Sequence, residues 1–495
     1  MSIIKRLLGH TSIYAFADVI LMAGGLISFP IITRLLTKEE YGTMVLISIT
    51  IGMITSLAGL GLNHSTLRFH SEYGGTKEFR KFYSTLIISS FASGLAFTVF
   101  SLVSIKFLSI FHTISFDLFK FFSLASFLII IRVMFDITGC ICRASEQPWI
   151  FSFFAILTKY FALGLIILFL SIFSLGLFGY YFGLAIGELT VLVAFWFFFI
   201  RQIGFSFKQF SLPILRKMTA YGFPLVMSGF AALILLSSDR YLIGYFLTKA
   251  DVAIYSVACS LSSYTTGILL GGFQFGFLPL IMKEWNRGAR EETHLEIQRV
   301  IRLYFMVALP LVAGLCIVGQ QIIVMLASEK YAQAFYVLPY VAIASMLNGL
   351  FGPLTLGFLF YEQTGKIAIL MAQAAILNVL MNLVLIPSIG LYGAAISTLF
   401  CYLLLLIVSS IKSSKYFRIK IPWHPILLYV ICILLMYFTL KGFIALYPRS
   451  HLFTQIGIGT LSYVSFLFVL DKKLRRVTIL QIHRFVEGKL RQSSQ

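Results

Sequence analysis

Long apolar blocks separated by short polar or charged intervals run the length of the chain, the first from Tyr14 to about Leu36 and the last ending near Leu470. A helix that crosses a bilayer needs about 20 mostly apolar residues. The pattern predicts fourteen such spans, at 12–36, 43–67, 83–109, 121–142, 149–173, 176–200, 223–247, 253–281, 301–326, 335–361, 366–387, 389–411, 425–443 and 452–470. The eleventh and twelfth are divided only by IPSIGLYG, whose Pro and Gly residues break the run. The first block is too long for a signal-peptide core and is read as the first membrane helix.

The chain also repeats itself. RLLTKEEYG, from Arg34, has a partner in FLTKADVAIYS, from Phe246, with Thr37 and Thr248 at an offset of 211. EQPW at Glu146 pairs with EQTG at Glu362 at 216, and LGLFG at Leu175 with IGLYG at Ile389 at 214. Three ordered matches at a nearly constant offset predict two six-helix lobes, 1–210 and 211–411, then a helix pair at 412–470 and a basic tail at 471–495. An even number of spans in each lobe makes the repeat parallel, which directs the search for a substrate path to the seam between the lobes. The two threonine motifs each fit [ST]-x-x-[DE], a capped helix start. Read instead as an acid/base pair, Glu39 and Glu40 are adjacent and point to different faces of a helix.

Composition agrees with a bilayer as solvent: 59% of residues are hydrophobic and 12% charged, against about 25% charged in soluble domains. The net charge of +20 is not one basic stripe, so nucleic acid is not the expected partner. Of 39 Lys and Arg, 28 fall on the side of the N-terminus, 9 on the other, and Arg132 and Lys159 within spans. The positive-inside rule then puts both termini in the cytoplasm. In the tail, Ile479, Ile482, Phe485, Val486 and Leu490 recur at helical spacing among basic residues, a pattern for a helix lying on an anionic leaflet. The six cysteines lie in or beside apolar segments and lack zinc or redox spacing.

Ionisable groups inside spans cost roughly 2.5 to 3.5 kcal/mol each on insertion scales and normally face a cavity or one another. They are Asp18, Arg132, Asp136, Lys159, Glu188, Asp239 and Arg240. Arg132 and Asp136, four residues apart, are spaced for an ion pair on one helix face. Lys159 has no partner near it in sequence and is the first candidate for a cation that meets an anionic substrate. Arg34 and Arg240, near span ends, either offer a guanidinium fork to phosphate or snorkel to the interface. Asn63, His64, Gln274, Gln320, Gln321, Asn348, Gln373, Asn378 and Asn382 read chiefly as hydrogen-bonding links between helices. Pro30, Pro224, Pro310 and Pro353 lie within spans and predict kinks. No nucleotide loop, zinc spacing or hydrolase motif is visible, so neither enzyme nor cofactor is expected.

FPIITRLLTKEEYGTMVL, GLNHSTLRF and SSDRYLIGYFLTKADVAIYS resemble the polysaccharide-biosynthesis flippases of the multidrug/oligosaccharidyl-lipid/polysaccharide exporter superfamily, and most of all the bacterial O-antigen flippases. The resemblance implies an all-α, multi-pass protein of the bacterial inner membrane. Its expected task is to move an undecaprenyl-pyrophosphate-linked oligosaccharide from the cytoplasmic to the periplasmic leaflet by alternating access of two lobes, as a step of lipopolysaccharide biosynthesis. The substrate's pyrophosphate and sugar would enter a cationic cavity while its tail stays in lipid. Arg34, Arg68 and the Asp239–Arg240 pair match the family pattern, whereas Lys159 and Arg132 are nominated by charge and position. Asp18, Asp136, Glu188 and Asp239 are the acids for ion coupling or charge pairing. A polysaccharide polymerase and a chain-length protein are the implied partners. Two alternatives stay open: a cation-coupled multidrug exporter of the same superfamily, favoured by an acidic cavity, and a membrane assembly partner without transport. Five cations, counting Arg302 at an inner end, against four acids tilt the balance toward an anionic substrate.

Overall fold

A computed structural model of the chain describes residues 3–74, 76, 78–111, 115–203, 205–271, 277–448, 450–472 and 475–476. Among these the regular structure is entirely helical: α1 (Ile3–Leu35), α2 (Lys38–Ala58), α3 (Leu62–Tyr73), α4 (Phe79–Ile110), α5 (Phe116–Ala144), α6 (Pro148–Ile167), α7 (Gly176–Ile203), α8 (Leu212–Phe246), α9 (Lys249–Gly271), α10 (Leu278–Asn286), α11 (Arg290–Leu326), α12 (Leu338–Leu354), α13 (Leu356–Phe360), α14 (Thr364–Ile389), α15 (Leu391–Ser413), α16 (Trp423–Leu446) and α17 (Leu452–Leu470). Thirteen stretches among the described residues are long and apolar enough to cross a bilayer. The expected eighth span follows α9 as far as Gly271 and then runs onto residues outside the described set, which also contain Gln274 and the apolar positions of the basic tail.

Two expected spans are not continuous helices. The second breaks at Gly59-Leu60-Gly61, where Leu60 and Gly61 take φ of 49° and 73°. That left-handed geometry ends a helix and suits glycine. The tenth breaks at Thr355, just after Pro353. The helices continue across Pro30, Pro224 and Pro310.

All three repeat matches adopt the same backbone in both copies. Thr37 accepts from the Glu40 N–H while Glu40 accepts from the Thr37 N–H, and Thr248 and Asp251 exchange the same two bonds. Glu146 and Glu362 both stand at φ 56°, and the Gln147 and Gln363 N–H groups each reach back five residues, to Cys142 and Phe358. This is a helix C-terminus closed by a left-handed residue. Gly176 and Gly390, at φ 53° and 62°, make the corresponding turns, at the first residue of α7 and just before α15.

The chain divides into two compact units. One comprises Met1–Val257, Leu326–Tyr331 and Thr364–Cys401; the other comprises Ala258–Met325, Ala332–Gln363 and Tyr402–Gln495. In the first, α8 packs along α3 and α14, so the unit extends beyond residue 210. One hydrophobic core of this unit joins α3, α4, α5, α6, α7 and the start of α8 around Phe82, Tyr83, Ile137, Ile141, Phe154 and Phe195. Buried Asn378 of α14 accepts from the Ser238 hydroxyl of α8 and donates to Ser397 and Thr398 of α15, with Asn382 donating to Asn378. In the second unit, α16 and α17 pack through Tyr429, Met436 and Tyr463 against Phe305, Met306 and Leu309 of α11.

Candidate functional site

Arg132 stands in the middle of FLIIIRVMFDITG, an apolar stretch of α5, where an unpaired charge would be expensive. The expected partner one turn away is not the one it takes. Its guanidinium turns to α7 and meets Glu188 at two points, with Nε donating to Oε2 at 3.0 Å and Nη2 to Oε1 at 2.8 Å. A fork matched to a carboxylate makes charge-assisted bonds stronger than a single contact along one helix could supply. Asp136 is thereby left exposed, with no hydrogen bond or ion pair among the described residues.

Arg132, Asp136 and Glu188 line one cavity of about 390 Å³, wholly within the first compact unit. Thr55, Ser56, Asn63 and His64 supply polar groups from α2 and α3, with Ser90 of α4 and Thr158 of α6. Leu225, Val226 and Gly229 of α8 form an apolar wall. At Gly52 and Gly229 an added Cβ would meet nothing within 4 Å, as expected where a helix borders open space. The buried Thr55 hydroxyl has no hydrogen-bond partner among the described residues, so the wall keeps a free polar group beside the cavity.

Lys159 follows Thr158 on α6, and both Glu188 and Arg132 lie within electrostatic range of it. Its stem occupies the space above Gly24 of α1, where a Cβ would come within 3.1 Å of Lys159 Cγ. It forms no hydrogen bond or ion pair among the described residues. The same is true of Asp18 on α1, two residues before the Ile20 carbonyl that accepts from Tyr160 at 2.9 Å.

The remaining candidates lie elsewhere. Arg34, in the last turn of α1, and Arg68, on α3, are exposed and do not line the cavity. Asp239 is buried and accepts from the Arg240 N–H at 2.8 Å, while Arg240 Nη1 donates to the Leu236 carbonyl at 2.5 Å. The structure thus gathers Arg132, Asp136 and Glu188 with Lys159 beside them, and keeps Asp239–Arg240 apart from that cavity.

Short contacts close the helices around this cavity. Gly61 meets Gly222 of α8 so closely that a Cβ on Gly61 would lie 2.2 Å from the Gly222 carbonyl carbon. One turn on, the Ser65 hydroxyl donates to the Met218 carbonyl at 2.6 Å, and Lys217 pairs with Glu72. Toward the other end of α2, Gly42 abuts the Lys249 carbonyl, where a Cβ would lie at 1.9 Å. The starts of α2 and α9, the two copies of the threonine motif, therefore touch each other. The Asn63 and His64 side chains were readable as polar residues of a span, but the hydroxyls of Ser56, Ser90 and Thr158 carry no sequence signal that separates them from ordinary helix serines and threonines. Thr158, for example, bonds its own helix at Phe154.

The fold is similar to that of the lipid II flippase MurJ in an inward-closed conformation, with a TM-score of 0.76 at 16% identity over 93% of this chain and 99% of that one. It is also similar to a multidrug resistance MATE family transporter of the MOP superfamily in its inward-facing conformation, with a TM-score of 0.65 at 16% identity over 82% and 94%. At such identities the likeness concerns the fold. In sequence the chain is 22% identical over 290 residues to the probable low-salt glycan biosynthesis flippase Agl15 of Haloferax volcanii, a match spanning 58% of this chain and 61% of that relative. Residues 31–336 match the model of the polysaccharide biosynthesis protein family, and the chain belongs to that family.

Proposed function

We propose that the protein is a flippase for a lipid-linked oligosaccharide, an undecaprenyl-pyrophosphate-linked O-antigen or related unit, carried from the cytoplasmic to the periplasmic leaflet with both termini in the cytoplasm. The observation that carries this reading is the forked Arg132–Glu188 pair on the wall of a polar cavity, with Lys159 at its side. A guanidinium that satisfies a carboxylate at two points also fits two phosphate oxygens. In this mechanism a pyrophosphate displaces Glu188 from Arg132, Lys159 adds its charge, and the released carboxylate returns when the substrate leaves. The Asn63 and Thr55 polar groups receive the first sugar, and the tail stays in the bilayer because a cavity of about 390 Å³ is too small to take in a whole lipid-linked glycan. Membership of the polysaccharide biosynthesis family and the flippase fold support the substrate class.

Deletion of the gene in its host, complemented by wild type or Lys159→Met, tests the reading. Loss of surface polysaccharide with accumulation of inward-facing lipid-linked units, restored by wild type and not by Lys159→Met, is the expected result. Full restoration by Lys159→Met points to the assembly-partner alternative. Unchanged polysaccharide with altered drug sensitivity supports the second reading, a cation-coupled multidrug exporter, which the partnerless Asp136 on the cavity wall favours.

A further inference from the structure

A second cavity, of about 340 Å³, lies in the same compact unit and shares no lining residue with the first. It is a groove between α2, α4 and α5, walled by Ile47, Ile54, Ile105, Leu108, Leu118 and Phe122. Three of its four hydroxyls are engaged: Thr43 donates to the Glu39 carbonyl at 2.8 Å, Thr50 to Leu46 at 2.8 Å, and Ser101 bonds Ser126 at 2.9 Å. Such a wall offers a ligand dispersion and burial but almost no hydrogen bonding. It therefore suits a hydrocarbon chain and not a sugar.

Length and surroundings narrow the occupant. From Thr43 to Ile54 the groove follows α2 for about 16 Å at roughly 1.5 Å per residue, which is about half of a hydrocarbon core of roughly 30 Å. The groove is one leaflet deep. Phe100, at its edge, and Val103 and Phe107 on the same helix are 67%, 62% and 60% exposed, as side chains facing lipid are. One end is closed by Lys249, an exposed residue at the start of α9. The acids near this end are Asp117, Glu39 and Asp251, the last held by the Thr248 N–H and hydroxyl. An exposed lysine at the end of an apolar slot of leaflet depth complements a lipid that carries a negative headgroup on an acyl chain.

We propose that this groove binds one acyl chain of an anionic glycerophospholipid, with its phosphate seated on Lys249. The occupant is a lipid of the surrounding leaflet and not the transported molecule, whose long tail exceeds the groove. The Lys249 carbonyl packs against Gly42, so the bound headgroup bears on the contact between α2 and α9 and braces it. The site is independent of the transport reading above.

The test uses the purified full-length protein in a non-ionic detergent and follows thermal unfolding with added phosphatidylglycerol, phosphatidylcholine or undecaprenyl phosphate. Phosphatidylglycerol is expected to raise the melting temperature by several degrees and phosphatidylcholine by less than half as much. Lys249→Gln should lose the difference between the two, Ser104→Phe, which fills the slot, should lose the gain altogether, and Lys441→Gln on α16 should keep it. Native mass spectrometry of wild type and Lys249→Gln gives a second readout, with one retained phosphatidylglycerol expected only in wild type, should Ser104→Phe fail to fold. Equal gains with both phospholipids in wild type, or a full phosphatidylglycerol gain in both variants, overturns the proposal. A gain from undecaprenyl phosphate and none from phosphatidylglycerol overturns the occupant and assigns the groove to a polyprenyl tail.

Discussion

Arg132 of α5 and Glu188 of α7, fifty-six residues apart in sequence, meet as a fork on a carboxylate inside an apolar helix bundle, with their side chains 32% and 12% exposed. Removing one partner strands the other charge, which in a deeply buried pair costs several kcal/mol. Partial access to the cavity reduces this here to about 2 kcal/mol, the scale of a hydrogen bond to a charged group. Glu188→Gln and Arg132→Gln are each expected to lower thermal stability by that amount and, under the proposed function, to fail to restore surface polysaccharide in the deletion strain. Arg132→Met with Glu188→Met should regain most of the stability without regaining export. The two readouts, a melting curve in detergent and surface polysaccharide in a complemented deletion strain, separate a structural pair from one that exchanges with substrate. Export by the double variant would mark the pair as structural only.

Gly61 combines two demands that a glycine meets best: a φ of 73° and a contact in which its Cβ would lie 2.2 Å from the Gly222 backbone. The left-handed geometry alone costs an L-residue roughly 1–2 kcal/mol, and the backbone of Gly222 cannot yield as a flexible side chain would. Gly61→Ala is therefore expected to destabilise by about 2 kcal/mol or more, and Gly222→Ala, whose Cβ would lie 2.2 Å from the Gly61 carbonyl oxygen, comparably. Gly229→Ala, in the same helix as Gly222 but facing open space, should be close to neutral. Melting curves of the three variants compare them directly, and a neutral Gly61→Ala would contradict the contact.

The helical class, most span boundaries and the repeat were legible in the sequence because each rests on a local signal. Apolar run length gives a span. A threonine three residues before an acid gives a capped start, and a glycine after an apolar run gives the left-handed turn seen at Gly176 and Gly390. The charged residues of the site were legible as a set, since any ionisable group in an apolar helix stands out. Their pairing was not. Asp136 is nearer to Arg132 in sequence, but Glu188 wins because helix packing brings a second helix against α5 and allows a two-point contact. The α2–α3 break was hidden as well: Gly59 and Gly61 fit an apolar run, and only the close approach of Gly222 gives the break its purpose.

Arg302 of α11 is bonded to the C-terminal helix pair within the second unit. Its Nε donates to the Tyr429 hydroxyl at 2.8 Å and Nη2 to Asp471 at 2.5 Å, while Tyr463 donates to the Met306 carbonyl at 2.8 Å. Arg302→Met leaves the buried Asp471 carboxylate without its main counter-charge, a loss of about 2 kcal/mol concentrated on one docking surface. The expected signature is local, with faster hydrogen exchange in α16 and α17 and no change in α4 or α5. Asp471→Asn, which retains an acceptor, should show a weaker form of the same pattern. Uniform exchange changes across all helices would instead indicate global destabilisation.

Glu40 performs one task that Thr37 does not. Both residues complete the capping box of α2, with Thr37 N donating to Glu40 Oε2 at 2.9 Å and Glu40 N donating to Thr37 Oγ1 at 3.2 Å. The second carboxylate oxygen of Glu40 also accepts from the Leu177 N–H at 3.3 Å, at the start of α7, where Gly176 leaves it room. Loss of a capping side chain costs about 1 kcal/mol. Thr37→Ala should pay only that. Glu40→Ala should cost about 1 kcal/mol more, because it also frees an N–H of α7 that has no intrahelical partner. Glu40→Gln, which can still accept at both places but carries no charge toward the two helix N-termini, should fall between them. The same comparison at the second copy, Thr248→Ala against Asp251→Ala, should show nearly equal losses, since among the described residues the side-chain bonds of Asp251 run to Thr248. Melting curves of the five variants measure that asymmetry. Equal losses for Thr37→Ala and Glu40→Ala would remove Glu40 from any role in joining α2 to α7.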